Sequence, residues 1–338
     1  MKKKINLLIL FIALPVLVII VTSIILIKKD DILPKAVSKK KDTKTKVEPK
    51  NPMEIEVLRS NEYPGGDFII EKTLKDTADY KQFVISYLSE GLKIYGLLTV
   101  PLSTRPENGY PSIVFIHGYI EPTRYSTTNS YPTYQAKLAK AGFITFKPDL
   151  RGHGESEGLP VSAHHSEKYV IDTMYAIAFL KKYKDTDPNR IGYWGHSNGG
   201  EIGLRILVIS PDIKAASLWA GVIGSYEDML ETYNEKIPFL NNRKNPLVEE
   251  YCLPSANPEF WNKIDPYYFL NDITSPIQLQ HGTADHSVPI ELSKHLKEEL
   301  EKLNKIVEYF EYKNDNHNIS NNVNTAFKRT IEFYRKYL

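Results

Sequence analysis

The stretch Ile191-Gly-Tyr-Trp-Gly-His-Ser-Asn-Gly-Gly200 decides the fold. It opens with a short apolar run typical of a buried strand, and Glu201-Ile-Gly-Leu-Arg-Ile-Leu207 continues it with helical spacing. The pattern G-x-S-x-G lies between the two, with Ser197 at its centre. In a strand-to-helix turn of this kind the serine backbone is strained, and glycines flank it because a Cβ would crowd the turn. The context predicts that Ser197 Oγ projects from the end of a sheet as a nucleophile.

Short apolar runs alternate with stretches of helical length on both sides of this turn. Two β-rich runs around Ser89-Glu-Gly91 predict an antiparallel hairpin. Six more runs have the length of buried strands: 113–116, 143–146, 191–194, 215–219, 277–280 and 307–310. Such alternation is typical of a parallel sheet with helices on both faces, so we expect an α/β fold with a mostly parallel eight-stranded sheet. Residues 222–271 are too long for an ordinary crossover and are predicted to form a helical insertion, or lid.

A serine hydroxyl becomes a good nucleophile when an imidazole accepts its proton and an acid orients that imidazole. In strand–turn–helix sites of this kind the chain order is Ser, then Asp or Glu, then His. Asp285 lies 88 residues after Ser197, in a Gly-containing loop that follows an apolar run. It is the candidate acid, with capping of a helix that begins near Pro289 as its alternative role.

Three of the nine histidines follow Asp285: His286, His295 and His317. His286 adjoins the acid, and His295 lies on an amphipathic helix among Lys and Glu residues. His317 lies in a polar loop between the last predicted strand and the closing helix, which is the position that a catalytic base requires. Asp315 is an alternative acid, although its place on the same loop is poorly suited to reaching the ring.

A tetrahedral intermediate also needs two hydrogen-bond donors aimed at its oxyanion. The backbone N–H of Asn198 is one candidate, and the N–H of Tyr119, after the apolar run 113–116, is the other. His117 is interpreted as a structural partner of that loop. The motif Asp149–Ser156 precedes the serine, so chain order favours a loop-organising role for it over catalysis.

Composition excludes several other classes of function. Residues 1–50 hold 12 Lys and 4 acidic residues, whereas the rest of the chain holds 31 basic and 37 acidic residues. The body therefore lacks the basic surface that a nucleic acid partner would require. Cys252 is the single cysteine, which excludes an intramolecular disulfide. His164-His165 has no third ligand at suitable spacing, so neither a metal nor another cofactor is expected.

The N-terminus has the composition of a membrane anchor. Residues 1–4 are basic, and the apolar run 5–27 is long enough to cross a bilayer core of about 30 Å. A cleaved signal peptide is the alternative, but the run ends directly in Lys28-Lys29 without a small-residue cleavage site. Residues 28–65 are expected to be a Lys- and Pro-rich linker to a catalytic domain at 66–338. A short basic N-terminus favours an extracytoplasmic position for that domain.

Several motifs occur in the order of a known superfamily: His117-Gly118, Asp149–Ser156, Gly192–Gly200, Gln280–Asp285 and the His317 loop. Over residues 80–338 the chain resembles the catalytic domain of prolyl-oligopeptidase-type serine peptidases and their dienelactone-hydrolase and esterase relatives. The resemblance implies an α/β-hydrolase with the triad Ser197, Asp285 and His317, acting without a cofactor on a small ester or peptide.

The resemblance leaves the reaction itself open. Full-length prolyl oligopeptidases carry a β-propeller, and nothing before residue 80 has the length or repeat pattern of one. An esterase, an exopeptidase, an acyltransferase and an inactive binding module all remain alternatives. Aromatic residues of the insertion, among them Trp261, Tyr267 and Tyr268, are expected either to line a substrate pocket or to pack the insertion. The oligomeric state is not indicated.

Overall fold

Nine strands form one mixed sheet in the computed structural model, which describes residues 50–237 and 245–338. The strands are β1 (Phe68–Thr73), β2 (Tyr80–Ser89), β3 (Leu92–Pro101), β4 (Tyr110–Ile116), β5 (Ile144–Pro148), β6 (Thr186–His196), β7 (Ile213–Trp219), β8 (Ile277–Gly282) and β9 (Val307–Tyr312). Their order across the sheet is β1-β2-β3-β5-β4-β6-β7-β8-β9. The first three pairs in this order, β1-β2, β2-β3 and β3-β5, are antiparallel. The other five pairs, from β5-β4 to β8-β9, are parallel. The prediction of a mostly parallel sheet is confirmed.

Helices cover both faces of this sheet. They are α1 (Ile55–Ser60), α2 (Pro132–Lys140), α3 (Lys168–Lys182), α4 (Asn198–Ile209), α5 (Pro246–Tyr251), α6 (Pro258–Ile264), α7 (Ile290–Lys302) and α8 (Val323–Tyr337). In β4, Val114 and Ile116 join the buried cluster that contains α3 and α4, whereas Ile113 and Phe115 join the cluster that contains α2 and α8. Both faces of β4 are therefore buried, which is why its sequence is continuously apolar rather than alternating.

The sheet has nine strands rather than the predicted eight, and the additional one is the edge strand β1. It pairs with β2 through main-chain hydrogen bonds, with a register shift between Ile70 and Lys72. Ile69 and Ile70 are 59% and 52% exposed. Phe68 alone packs inward, with its ring 5.1 Å from that of Phe179. Its apolar run, Phe68–Ile70, has only three residues and is followed by Glu71 and Lys72, so it is shorter than the runs by which strands are recognised in a sequence.

The folded unit begins earlier than the predicted domain boundary at residue 66. Met53, Ile55 and Leu58 are buried, with 2%, 0% and 0% of their surface exposed. Arg59 donates to the Val208 carbonyl at 2.6 Å and to Asp272 at 2.5 Å. Residues 50–65 are thus part of the compact unit. The predicted boundary lies later in the chain because Met53 and the two buried residues of α1, Ile55 and Leu58, stand among polar neighbours.

The predicted anchor, residues 5–27, lies outside the described residues, as does the linker up to residue 49. In the part of the chain that the structure describes, no helix combines the length and apolar character needed to cross a membrane.

The segment after β7 is helical where the structure describes it. It contains a π-helical turn at Asp228–Thr232, α5, α6 and 3₁₀ turns at Asn234–Lys236, Pro254–Ala256 and Pro266–Asp272. Many of its buried apolar side chains form a separate cluster together with Met53, Val288 and Leu292, whereas Ile223 and Leu270 join the main core. This cluster joins the insertion to the N-terminal segment and to α7.

Candidate active site

Ser197 lies at a sharp turn between β6 and α4, with φ 54° and ψ −116°. Positive φ is costly for a residue with a Cβ, so surrounding contacts must hold it. The Ser197 N–H donates to the Trp219 carbonyl at 2.9 Å, and its own carbonyl accepts from the Gly200 N–H at 2.8 Å. A Cβ on Gly195 would lie 2.3 Å from the Gly199 carbonyl oxygen. The strand–turn–helix context predicted for Ser197 is therefore present, and the glycine at 195 is needed for close approach.

His317 and Asp285 meet at the same edge of the sheet. Because β8 and β9 are parallel neighbours, the loops that follow them lie side by side. His317 Nδ1 lies 2.7 Å from Asp285 Oδ2. Asp285 Oδ1 accepts from the N–H groups of Ser287 and Val288 at 2.7 and 3.0 Å. The carboxylate is thus fixed by the backbone on one oxygen and holds the imidazole with the other.

A second histidine, His281, reaches the same carboxylate. Its Nε2 lies 3.0 Å from Asp285 Oδ2, and its Nδ1 lies 2.7 Å from Ser293 Oγ. Burial by itself would raise the pKa of Asp285, but the hydrogen bonds from His281 and His317 outweigh it and hold that pKa well below its usual range. Asp285 is therefore an anionic partner for the His317 ring. The sequence search missed His281 because it considered only histidines that follow the acid.

Two alternatives remained from the sequence: Asp315 as the acid, and Asp285 as a helix cap. Neither fits the geometry. Asp315 accepts hydrogen bonds from Asn316, Asn321 and Asn322 and so shapes the His317 loop instead of contacting the ring. The helix α7 has Pro289 at its N-cap, without a side-chain cap, so Asp285 does not cap it.

The His317 loop lies against the turn that carries Ser197. His196 Nε2 is 3.0 Å from the His317 carbonyl oxygen, and the two imidazole rings are 4.6 Å apart. Within residues 50–237 and 245–338, no hydrogen bond joins Ser197 Oγ to the His317 ring. Hydrogen bonds of this kind are commonly long in an enzyme without substrate and shorten when substrate binds.

The two predicted oxyanion donors come together beside Ser197. Tyr119 follows β4, and Asn198 is the first residue of α4, where backbone N–H groups lack helical partners. Both line a small cavity of about 10 Å³, together with Gly118 and Ile202. The Gly118 N–H is already used, because it donates to Tyr131 Oη at 3.1 Å. The positive end of the α4 dipole favours negative charge at this point.

The residues interpreted as structural hold the neighbouring loops. His117 Nδ1 lies 2.7 Å from the Gly118 carbonyl oxygen, and burial lowers the pKa of His117 to about 3. Asp149 accepts hydrogen bonds from Tyr125 at 2.8 Å and Thr127 at 2.5 Å. Arg151 forms a buried ion pair with Asp172 at 2.7 Å. The contacts support the loop-organising role predicted for the motif at 149–156.

The residues predicted to line a substrate pocket do not share a cavity with the triad candidates. Trp261, Tyr267 and Tyr268 line a cavity of about 370 Å³, and none of the three triad candidates is among its lining residues. Trp261 Nε1 donates to the Cys252 carbonyl at 3.1 Å, and the Tyr267 hydroxyl donates to a main-chain carbonyl at 2.8 Å. The packing alternative fits Trp261 and Tyr267 better, because an insertion without its own sheet needs large side chains to build a core.

Comparisons with known proteins identify the family of the chain. A model of the prolyl oligopeptidase family matches residues 129–338. An uncharacterized peptidase of Bacillus subtilis, YtmA, is 29% identical over 256 residues, which cover 75% of this chain and 93% of that protein.

Solved structures of both peptidases and esterases share the fold. A puromycin-hydrolyzing peptidase of Mycobacterium tuberculosis has a TM-score of 0.63 at 20% identity over 78% of this chain and 40% of its own. An acetyl xylan esterase from Paenibacillus sp. R4 has a TM-score of 0.65 at 18% identity, over 84% and 92% respectively. The chain therefore spans less than half of the first structure and nearly all of the second.

Proposed function

The chain belongs to the prolyl oligopeptidase family and is a serine hydrolase of the α/β-hydrolase superfamily, and from this premise we propose that it cleaves a carboxylic ester or short peptide through an acyl-enzyme on Ser197. The observation that carries the proposal is the 2.7 Å contact between His317 Nδ1 and Asp285 Oδ2, beside a strained serine turn.

In this mechanism Ser197 Oγ attacks the substrate carbonyl carbon while His317 Nε2 takes the hydroxyl proton. Asp285 stabilises the imidazolium, and the N–H groups of Tyr119 and Asn198 donate to the oxyanion. The C–O or C–N bond then breaks, and His317 returns the proton to the leaving group. Water repeats the sequence on the acyl-enzyme: it attacks the carbonyl, gives its proton to His317, and releases the carboxylic acid and the serine hydroxyl.

Labelling with a fluorophosphonate tests the nucleophile. We expect one adduct per chain on the native protein and none on Ser197→Ala. Ser103→Ala, which changes an exposed serine, is the matched control and should label fully. A native protein that hydrolyses esters yet labels at another serine would contradict the assignment.

The acyl group is proposed to be short. The cavity beside Tyr119 and Asn198 has room for about one water-sized group, so it can take the oxyanion but leaves no space beside it for a long acyl chain. We expect p-nitrophenyl acetate to exceed the octanoate at least tenfold in kcat/KM. The same assay includes aminoacyl and dipeptidyl p-nitroanilides. Faster cleavage of these amides would favour a peptidase, and a preference for octanoate would overturn the short-acyl proposal.

We further propose that residues 5–27 anchor the chain in a membrane with the catalytic domain outside the cytoplasm. The 23-residue apolar run supports this proposal. The full chain should stay with the membrane fraction after a carbonate wash, and a variant that lacks residues 1–49 should not. Protease added to intact cells should degrade the domain, whereas a protected domain would contradict the orientation.

A further inference from the structure

We propose that Tyr131 is a positioning residue for the reaction. Its hydroxyl connects the loop that supplies the oxyanion donor Tyr119 to the turn that carries Ser197. Through His196 it is also connected to the loop that carries His317. The inference rests on the proposed function, since it concerns the alignment of the same site. The residue is not part of the motifs that identify the site in the sequence.

Three contacts form one continuous chain across the site. Tyr131 Oη lies 3.1 Å from the Gly118 nitrogen and 2.6 Å from His196 Nδ1. On the other side of the ring, His196 Nε2 lies 3.0 Å from the His317 carbonyl oxygen. These contacts connect the loops after β4 and β9 through His196, the last residue of β6.

The chemistry of the partners fixes the direction of every hydrogen bond. A carbonyl oxygen can only accept, so His196 Nε2 must carry the proton that is donated to His317. Burial, with a smaller contribution from the His317 ring, lowers the pKa of His196 to about 3, so its ring is neutral and Nδ1 has a free lone pair. Tyr131 therefore donates its hydroxyl proton to Nδ1 and accepts from the Gly118 N–H. Each group in the chain is satisfied in one arrangement only.

The backbone of Tyr131 is held in a costly conformation. Its φ of 58° and ψ of 30° lie in the left-handed region, which costs a residue with a Cβ roughly 1–2 kcal/mol. Pro132 follows it, and a residue before proline normally adopts an extended conformation. The ring packs at 5.8 Å from Phe115 and 6.1 Å from Trp194. Strain of this kind persists where the surroundings fix it, and it is common at functional sites.

Close packing around Gly118 explains how the hydroxyl acts on the reaction. A Cβ on Gly118 would lie 2.9 Å from Tyr131 Oη and 3.1 Å from Ser197 Cβ, so Gly118 is closely packed against both residues. Loss of the Tyr131 hydroxyl would free Gly118, and with it the adjoining N–H of Tyr119. It would also release His196, which supports the main chain of His317. A displacement of about 1 Å at reacting groups is enough to cost on the order of 100-fold in rate.

The test is Tyr131→Phe in the full chain, which removes the hydroxyl and keeps the ring. We expect kcat for p-nitrophenyl acetate to fall roughly 10- to 100-fold, with KM changed less than about twofold. Tyr87→Phe is the matched control, because Tyr87 also donates a buried hydroxyl hydrogen bond, to the Asp172 carbonyl at 2.8 Å, outside the site. Its kcat should stay within about twofold of the native value.

His196→Gln provides a second, independent variant, since the amide can still donate to the His317 carbonyl but no longer presents an acceptor at Nδ1. We expect kcat to fall by about tenfold or more. If Tyr131→Phe fails to fold by its thermal transition, this variant decides the matter. Native kcat in a folded Tyr131→Phe, or in His196→Gln, overturns the inference.

The failure of the inference and that of the proposed function are distinguishable. A native protein that neither labels with fluorophosphonate nor hydrolyses any ester or amide contradicts the proposed function. A native protein that does both, together with a Tyr131→Phe variant of native kcat, contradicts only the positioning role.

Discussion

The carboxylate of Asp285 forms hydrogen bonds with two imidazole rings. Oδ2 serves both His317 and His281, while Oδ1 is saturated by two backbone N–H groups. The side chain is only 1% exposed. His281 is itself held by Ser293 of α7, so the helix after the acid loop helps to fix the acid. The orientation of His317 thus depends on contacts that reach beyond the triad.

Asp285→Asn should lower kcat by roughly four orders of magnitude, because an amide no longer stabilises the imidazolium and favours the wrong tautomer of His317. The measurement is p-nitrophenyl acetate hydrolysis at saturating substrate. Asp212→Asn, which changes a carboxylate paired with Lys181 on the surface, is the control and should retain native activity. Activity within tenfold of native in Asp285→Asn would assign the acid to another residue.

The low pKa of Asp285 also predicts how stability depends on pH. The folded-state pKa lies below the unfolded value of about 3.9, so the folded state binds fewer protons than the unfolded state near that pH. The stabilisation is present above about pH 4 and is lost as the pH falls towards the folded-state pKa. Urea unfolding at pH 2.5, 4 and 6 should show a smaller loss of stability in Asp285→Asn than in the native protein. Parallel losses would contradict the assignment.

Sequence reasoning placed Ser197, Asp285 and His317 because a strand, a turn and chain order constrain them. It did not find Tyr131 or His281. Tyr131 and His196 are 65 positions apart, and their contact depends on how α2 docks beside the sheet. Such contacts leave no periodic or motif signal along a single chain. Sequence patterns therefore indicate the reacting groups better than the groups that align them.

At the scale of elements, the loop after β5 is held to α3 by a buried charge pair. Asp172 accepts from Arg151 Nη2 at 2.7 Å, from the Arg151 backbone N–H at 2.9 Å and from Ser89 Oγ at 2.6 Å. Leu150 and His153 of the same loop line the small cavity beside the oxyanion donors. The pair thus links the position of a cavity wall to the helix packed behind it.

Asp172→Ala should destabilise the fold by about 3–5 kcal/mol, because it leaves Arg151 buried with only the partly exposed Glu90 as a partner. Equilibrium urea unfolding measures the change. Asp212→Ala breaks the exposed pair with Lys181, also on α3, and should cost less than about 1 kcal/mol. Equal effects of the two substitutions would show that burial does not distinguish them.

The insertion shows where pattern reasoning could not choose between two roles at this scale. Arg205 of α4 donates to the Tyr226 hydroxyl at 2.6 Å and to the Ile264 carbonyl at 2.9 Å, which docks the insertion on the helix that follows Ser197. Tyr226 and Trp261 then pack against each other with ring centres 4.7 Å apart. Aromatic residues are equally typical of pockets and of cores, so composition alone could not separate the two.

At the scale of the whole molecule, burial explains which parts of the fold were predictable. The parallel strands are buried on both faces, and their apolar runs are visible in the sequence. The edge strand β1 and the short helix α1 carry few buried residues each, so both were missed. Yet α1 matters for the fold, since Ile55 and Leu58 are fully buried.

The N-terminal boundary gives a prediction for the folded unit as a whole. A chain that starts at residue 50 should keep the native thermal transition and native kcat, because it retains every buried residue that the structure describes. A chain that starts at residue 66 loses Met53, Ile55 and Leu58, and burial of each such side chain contributes roughly 1.5–3 kcal/mol. The shorter chain also lacks Arg59, whose hydrogen bond to the Val208 carbonyl connects residues 50–65 to the end of α4. We therefore expect the shorter chain to unfold at a markedly lower temperature or to aggregate, as measured by circular dichroism on both. Equal transitions would mean that residues 50–65 rest on the domain without stabilising it.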